Sequence, residues 1–342
     1  MNTVEIDHVT PSPSPAPTMR ALVQRRYGTD PEAVLDVTDV ATPDITPDEI
    51  LVRVAAAGVD MGTWHCMTGL PYAMRAFGFG FRAPKAMNPG RSFAGTVELV
   101  GDHVVGFAPG DEVYGTCDGS FAELVRAQPG MVARKPSNLT FEQAASAPIS
   151  GGTALQAVRR AAIVAGERVL IVGASGGVGS FAVQIAKARG AEVTGVCSTA
   201  KVDLVRSLGA DHVIDYSVDD IDVAGVEYDV ILDIGGNRSL SELRRVLTCS
   251  GRLVIVGGET DGRLLGGFGR SLRAVAVSPF VPQTLGMLAS TETAEDLDLL
   301  RELIEDGLVT PAVDRVFPLD DAASAIAEQR DGRVRGKVVI AI

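Results

Sequence analysis

The chain has 342 residues, 46% hydrophobic and 22% charged, a globular composition at a length that suits two domains. Its net charge of -12 and pI of about 4.9 repel phosphate backbones, so nucleic acid is not an expected partner, although a local basic cluster still accepts an anionic ligand. No apolar run reaches transmembrane length, and no membrane partner is expected.

Residues 1–18 are rich in Pro and Ser and predict a disordered tail; without an apolar core they do not read as a secretory leader. Whether the native start is Met1 or Met19 stays open. The four cysteines are widely spaced with no C-x-x-C, as expected of reduced thiols in a cytoplasmic protein.

From Met19 to about residue 147 the pattern is β-rich. "MRALVQRRYG", "ILVRVAAAGV", "SFAGTVELVG", "DEVYGT" and "SFAELV" are short apolar runs between Gly, Pro and Asp turns. Residues 69–90, aromatic, Gly-rich and basic, predict a long loop with one helical turn. From about 148 to 284 strands and helices alternate. "RVLIVGA" is a strand buried on both faces, and "GVGSFAVQIAKARG" is a helix with Val178, Phe181, Ala182, Ile185 and Ala186 on one side. "EVTGVC", "HVIDY", "YDVILDIG" and "RLVIVGG" continue as strands, "TAKVDLVRSLG" and "SLSELRRVL" as helices, and "LRAVAVSP" as a further strand. The series predicts a parallel, doubly wound α/β sheet. "TAEDLDLLRELIEDG" predicts an amphipathic helix, and the chain ends as strand, helix, strand.

"GASGGVG", Gly173 to Gly179, sits between a strand and a helix, which gives its A-x-G-x-x-G pattern a mechanism. Gly176 lets a pyrophosphate approach the backbone, Gly179 lets the helix pack on the strand, and the free N–H groups near Gly177 and Val178 face the anion. Ala174 replaces the usual first glycine, with Ser175 beside it. Past the second strand, where an acid would bind the ribose of NAD, the sequence has Ser198 and Lys201, and Tyr216 ends the third strand. A donor and a cation suit a 2′-phosphate, so NADPH is the expected cofactor.

"GASGGVGSFAVQIAKARGAEV", "CSTAK" and "LGADHVIDY" resemble the medium-chain dehydrogenase/reductase superfamily, in its zinc-free quinone oxidoreductase and enoyl reductase branch; the likeness runs from Met19 to the closing "RGKVVIAI". It implies a GroES-like catalytic domain from residues 19–147 and 285–342, with a Rossmann NADPH-binding domain at 148–284 inserted between them. It implies further that Thr153 lies beside the nicotinamide, that the backbone of Gly257 faces the nicotinamide amide, and that the protein forms a homodimer by edge-strand pairing, for which "LRAVAVSPFV" is apolar enough. Where zinc alcohol dehydrogenases of the superfamily carry a cysteine and a His-Glu pair, this chain has Asp60 and Arg91-Ser92, so no metal is expected.

Without a metal, an activated C=C is easier to reduce than a simple ketone. The expected reaction is hydride transfer from NADPH to a quinone or an α,β-unsaturated carbonyl. The candidate proton donors are His65, Tyr72 and Asp60, with Asp60 better suited to orienting a neighbour. Arg82 and Lys85 are candidates for holding an anionic substrate tail. A zinc-free NADP-dependent alcohol dehydrogenase or ketoreductase, and a non-catalytic NADPH-binding redox sensor, are the alternatives.

Overall fold

The computed structural model describes residues 17–222, 225–236, 238–258 and 262–342. The predicted tail lies outside them, apart from Pro17 and Thr18. Thr18 already pairs with Ala41, where β1 (Thr18–Gln24) runs antiparallel to β2 (Leu35–Ala41) across the short helix α1 (Pro31–Val34).

The next segment supplies β3 (Ile50–Val59), α2 (Met61–Thr68), α3 (Tyr72–Met74), β4 (Ser92–Val100), β5 (Glu112–Thr116), β6 (Leu124–Ala127) and β7 (Val132–Arg134). The long loop carries two short turns instead of one, because a π-helical turn, Arg75–Phe79, follows α3. Helices α4 (Phe141–Ala145) and α5 (Pro148–Arg160) lead into the alternating region.

That region contains β8 (Arg168–Val172), α6 (Gly177–Ala188), β9 (Glu192–Cys197), α7 (Val202–Ser207), β10 (His212–Asp215), β11 (Tyr228–Asp233), α8 (Leu240–Arg245), β12 (Leu247–Ile255), α9 (Phe268–Val277) and β13 (Thr284–Met287). Its six strands are all parallel, in the order β10-β9-β8-β11-β12-β13. The order reverses between β8 and β11, and in such sheets ligands bind in the crevice at that reversal. "LRAVAVSP" corrects the strand expectation: it lies mostly within α9, and the sixth strand is Thr284–Met287. The segment is apolar but helical, with Phe268, Leu272 and Val275 at helix spacing and all exposed.

The chain closes with α10 (Ala294–Glu305), β14 (Val313–Pro318), α11 (Ala322–Arg330) and β15 (Lys337–Ala341). β15 pairs antiparallel with β3, so the GroES-like sheet is built from both ends of the chain. One apolar core fills this barrel, around Phe93, Phe121 and Ile340, and two more cover the faces of the parallel sheet. Among the described residues no helix is long and apolar enough to cross a membrane.

Asp233, fully buried at the end of β11, pairs with Arg270 of α9 and accepts the Gly236 N–H at 3.1 Å. Burial pushes its carboxyl up, against the pull of the guanidinium. Breaking such a pair strands a charge, so Arg270→Met is expected to cost about 3–5 kcal/mol in urea unfolding. The double variant with Asp233→Asn is expected to lose less than Arg270→Met alone.

Candidate active site

The glycine turn is tied to the sheet by Gly173 and Ala174, whose N–H groups both donate to Val196 O, at 3.2 and 3.1 Å. Gly173 has φ of 85°, a conformation that favours glycine. Gly176 is the N-cap of α6 and brings no side chain to the free N–H groups of the first turn. Gly176 and Gly179 serve different ends. A Cβ on Gly179 would lie 2.1 Å from Gly173 O and 2.8 Å from Ala174 Cα, so only glycine lets the helix sit this close. A Cβ on Gly176 would meet only Gly173 O, at 3.5 Å, which leaves space in front of the helix end. Bare N–H groups, open space and a helix N-terminus together fit a dinucleotide pyrophosphate. Ala174 and Ser175 are buried beneath the turn.

Two clefts lie near it, the smaller bordered by Gly173 itself. The smaller, about 330 Å³, is lined by Val172, Gly173, Val196, Tyr216, Gly235, Arg238 and Glu242. The larger, about 810 Å³, lies between the two sheets and is lined by Met61, Trp64, His65, Gly235, Gly258 and Arg330, among others. Gly235 borders both, so they meet where the strand order reverses, and an elongated ligand fits across them.

At the smaller cleft the Tyr216 N–H donates to Cys197 O at 3.0 Å, which sets Tyr216 beside Ser198. Lys201 reaches across the seam and donates from Nζ to Gly332 O at 2.6 Å. Burial, aided by Arg335, holds its pKa below the usual lysine range, and Asp314 opposes the shift. Gly257 donates to Asp233 O at 3.3 Å and packs on Ile234 O. Thr153 lines a separate crevice with Pro148 and Ser290, its Oγ1 3.5 Å from the Ser290 hydroxyl.

The three proton-donor candidates are placed apart. His65, on α2, lines the larger cleft, and its Nδ1 lies 2.8 Å from Leu70 O. A carbonyl only accepts, so Nδ1 carries the hydrogen of that bond. Asp60 is buried as the N-cap of α2, where Oδ1 accepts from Thr63 N at 3.2 Å and Oδ2 has no hydrogen-bond partner among the described residues. Tyr72 is half-exposed; its ring packs against the Arg75 guanidinium, 4.8 Å away, and its N–H donates to Arg263 O at 2.8 Å. Lys85 lines a third cleft, of about 420 Å³, with Phe79, Cys66 and Arg91. Burial, aided by Asp60, pushes the Cys66 thiol up to about 11, so it is not a ready nucleophile. Among the described residues no group of three His, Cys, Asp or Glu side chains is placed to hold a metal.

Several site residues escaped sequence reasoning. Arg330 stacks on Trp64 at 5.0 Å, and the Ala73 N–H donates to Leu264 O at 3.1 Å, joining the two halves over the larger cleft. These are long-range pairs with no local signature. Asp233 did leave a signal, as a carboxylate ending a buried strand at the switch point.

Comparison with known proteins agrees with this architecture. The family description "Alcohol dehydrogenase GroES-like domain" matches residues 46–137, and "Zinc-binding dehydrogenase" matches 208–340. The 2-methylene-furan-3-one reductase of Solanum lycopersicum is 31% identical, over 94% of this chain and 79% of its own. The chloroplastic NADPH-dependent alkenal/one oxidoreductase of Arabidopsis thaliana is also 31% identical, over 97% of this chain and 82% of its own. The solved quinone oxidoreductase of Coxiella burnetii superposes with a TM-score of 0.83 at 28% identity, covering 95% of this chain and 100% of that one. The chain therefore belongs to the medium-chain dehydrogenase/reductase superfamily, in its quinone oxidoreductase branch, and is an oxidoreductase that uses a nicotinamide cofactor.

The unequal space at the two glycines has a direct consequence. Gly179→Ala is expected to cost about 1–3 kcal/mol by overpacking. Gly176→Ala is expected to stay within about 1 kcal/mol of wild type. Urea unfolding of both variants measures the difference.

Proposed function

We propose that the protein is an NADPH-dependent reductase of quinones or α,β-unsaturated carbonyls that works without zinc. The observation that carries the reading is the joined pair of clefts: Gly235, against which Gly173 of the glycine turn packs, at their meeting point, Tyr216 in the smaller, His65 in the larger, and Lys201 bonded to Gly332 of the larger cleft's lining. The pyrophosphate is assigned to the N–H groups at Gly176–Gly179, over Ala174 and Ser175. The 2′-phosphate is assigned to Ser198, Lys201 and Tyr216. Asp60 and Arg91-Ser92, standing where zinc relatives have ligands, support a metal-free reaction.

When bound, the nicotinamide supplies a hydride to the carbon β to the substrate carbonyl, or to a quinone. The chain's residues supply the rest. His65 is assigned as proton donor to the α carbon, its ring oriented by the hydrogen bond from Nδ1 to Leu70 O. Asp60 caps the helix that carries His65 and fixes its position. Gly257 and Thr153 are assigned to the nicotinamide by resemblance. Trp64 supplies an apolar wall to the larger cleft. Tyr72 stands outside the lining of that cleft and is assigned to the joint between the two halves, not to proton transfer.

The protein is further proposed to be a cytoplasmic homodimer. Four free cysteines suit a reducing compartment. Strand β13 is hydrogen-bonded to β12 on one side only, and beside it α9 exposes Phe268, Leu272 and Val275. This open edge replaces the "LRAVAVSP" strand as the basis for pairing.

The test is absorbance at 340 nm with NADPH and NADH against quinones, enones, enals and saturated ketones, with and without a chelator. Turnover of enones or quinones with NADPH, undisturbed by chelation, is expected. Lys201→Ala is expected to raise the NADPH KM about tenfold while NADH changes little. His65→Gln is expected to lower kcat about a hundredfold. Exclusive turnover of saturated ketones or alcohols would favour the ketoreductase alternative; NADPH binding with no turnover would favour the redox sensor. A monomer by light scattering would refute the dimer.

A further inference from the structure

Lys337 opens β15, yet it is only 1% exposed and stands alone among the described lysines in the buried set. Burying an ammonium is costly unless its donors are met. Two of its three N–H groups are met from other segments: Nζ donates to Val59 O at 2.8 Å and to the Ser150 hydroxyl at 3.0 Å. Burial lowers its pKa, and the nearby Asp60 carboxylate pulls the other way, toward the charged form.

The position of its stem points to a use. A Cβ on Gly177, the first residue of α6, would lie 3.0 Å from Lys337 Cδ and 3.1 Å from the Ser150 hydroxyl. The preceding Gly336 donates its N–H to Ser175 O at 2.9 Å. The closing strand of one sheet is thus docked on the glycine turn of the other. A cation beside a helix N-terminus is repelled by the macrodipole, a repulsion that the nearby Asp60 carboxylate offsets in part. An anion in front of the turn would reverse the sign. The turn itself, Ser175 to Ser180, contains no charged residue.

We infer that Lys337 is a positioning residue for the dinucleotide: its ammonium, pinned by Val59 and Ser150, seats the glycine turn against the catalytic sheet and places a fixed positive charge behind the pyrophosphate. The inference rests on the proposed NADPH site. It concerns the centre of the ligand, whereas Lys201 serves the ribose end.

The experiment titrates NADPH by quenching of the single tryptophan, Trp64, in wild type, Lys337→Met and Ser150→Ala. Adenosine 2′-monophosphate, which has no pyrophosphate, is titrated by competition. Melting temperature is read alongside. Lys337→Met is expected to raise the NADPH Kd about tenfold or more, through loss of a nearby charge. The nucleotide without pyrophosphate is expected to change by less than about twofold, its contacts being distant. Ser150→Ala keeps the charge but loosens it, and is expected to weaken NADPH about two- to fivefold with the same selectivity. If Lys337→Met does not fold, Ser150→Ala decides. An unchanged NADPH Kd, or equal weakening of both ligands, would overturn the inference, the latter marking general loosening of the seam. Wild type binding neither NADPH nor NADH would sink the proposed function and this inference together; normal binding by wild type and variants alike would sink this inference alone.

Discussion

The contact on which the site depends is the packing of Gly179 on the carbonyl of Gly173, an approach that only glycine permits. It draws the start of α6 onto the end of β8 and fixes where the uncapped N–H groups point. Everything assigned to the site is measured from there. Gly173 in turn sits against Gly235, which borders both clefts, and Ser175 accepts the bond from Gly336 that brings the far end of the chain to the same place. One contact between two backbones therefore positions the helix end proposed for the ligand's centre, the meeting of the clefts and the seam between the sheets.

Much of this was legible in the sequence because it is local. A continuous apolar run, a glycine turn and a helix with a buried face form one stretch of chain, and the chemistry needs them adjacent. The alternation of strands and helices has the same property, and it yielded five of the six strands of the parallel sheet. What was not legible depends on contacts between distant segments. "LRAVAVSP" is apolar and β-branched, which suits a buried strand, but its helical period shows only when the window opens at Phe268. Nothing near Tyr72 says that its N–H will bond Arg263, or near Arg330 that it will stack on Trp64. The same limit hid Lys337, which reads as an ordinary strand-opening lysine until the fold buries it.

The electrostatics follow from this division between local and distant. A chain with net charge -12 must gather cations to hold a polyanionic ligand, and the glycine turn supplies none. They come from elsewhere: Lys201 from the segment after β9, and Arg330, Arg335 and Lys337 from the closing "QRDGRVRGK". Lys201 and Lys337 are bonded across the seam, to Gly332 O and to the Ser150 hydroxyl, while Lys337 also bonds Val59 O within its own sheet, so the charges that would hold the ligand also hold the two halves together. Ligand binding and seam stability are then linked: whatever binds the closed seam more tightly than the open one stabilises it by the same free energy. With the basic residues placed at the seam, neutralisation of their charge by a bound dinucleotide would favour the seam as the structure holds it, with its hydrogen bonds to Gly332 and Ser150 made.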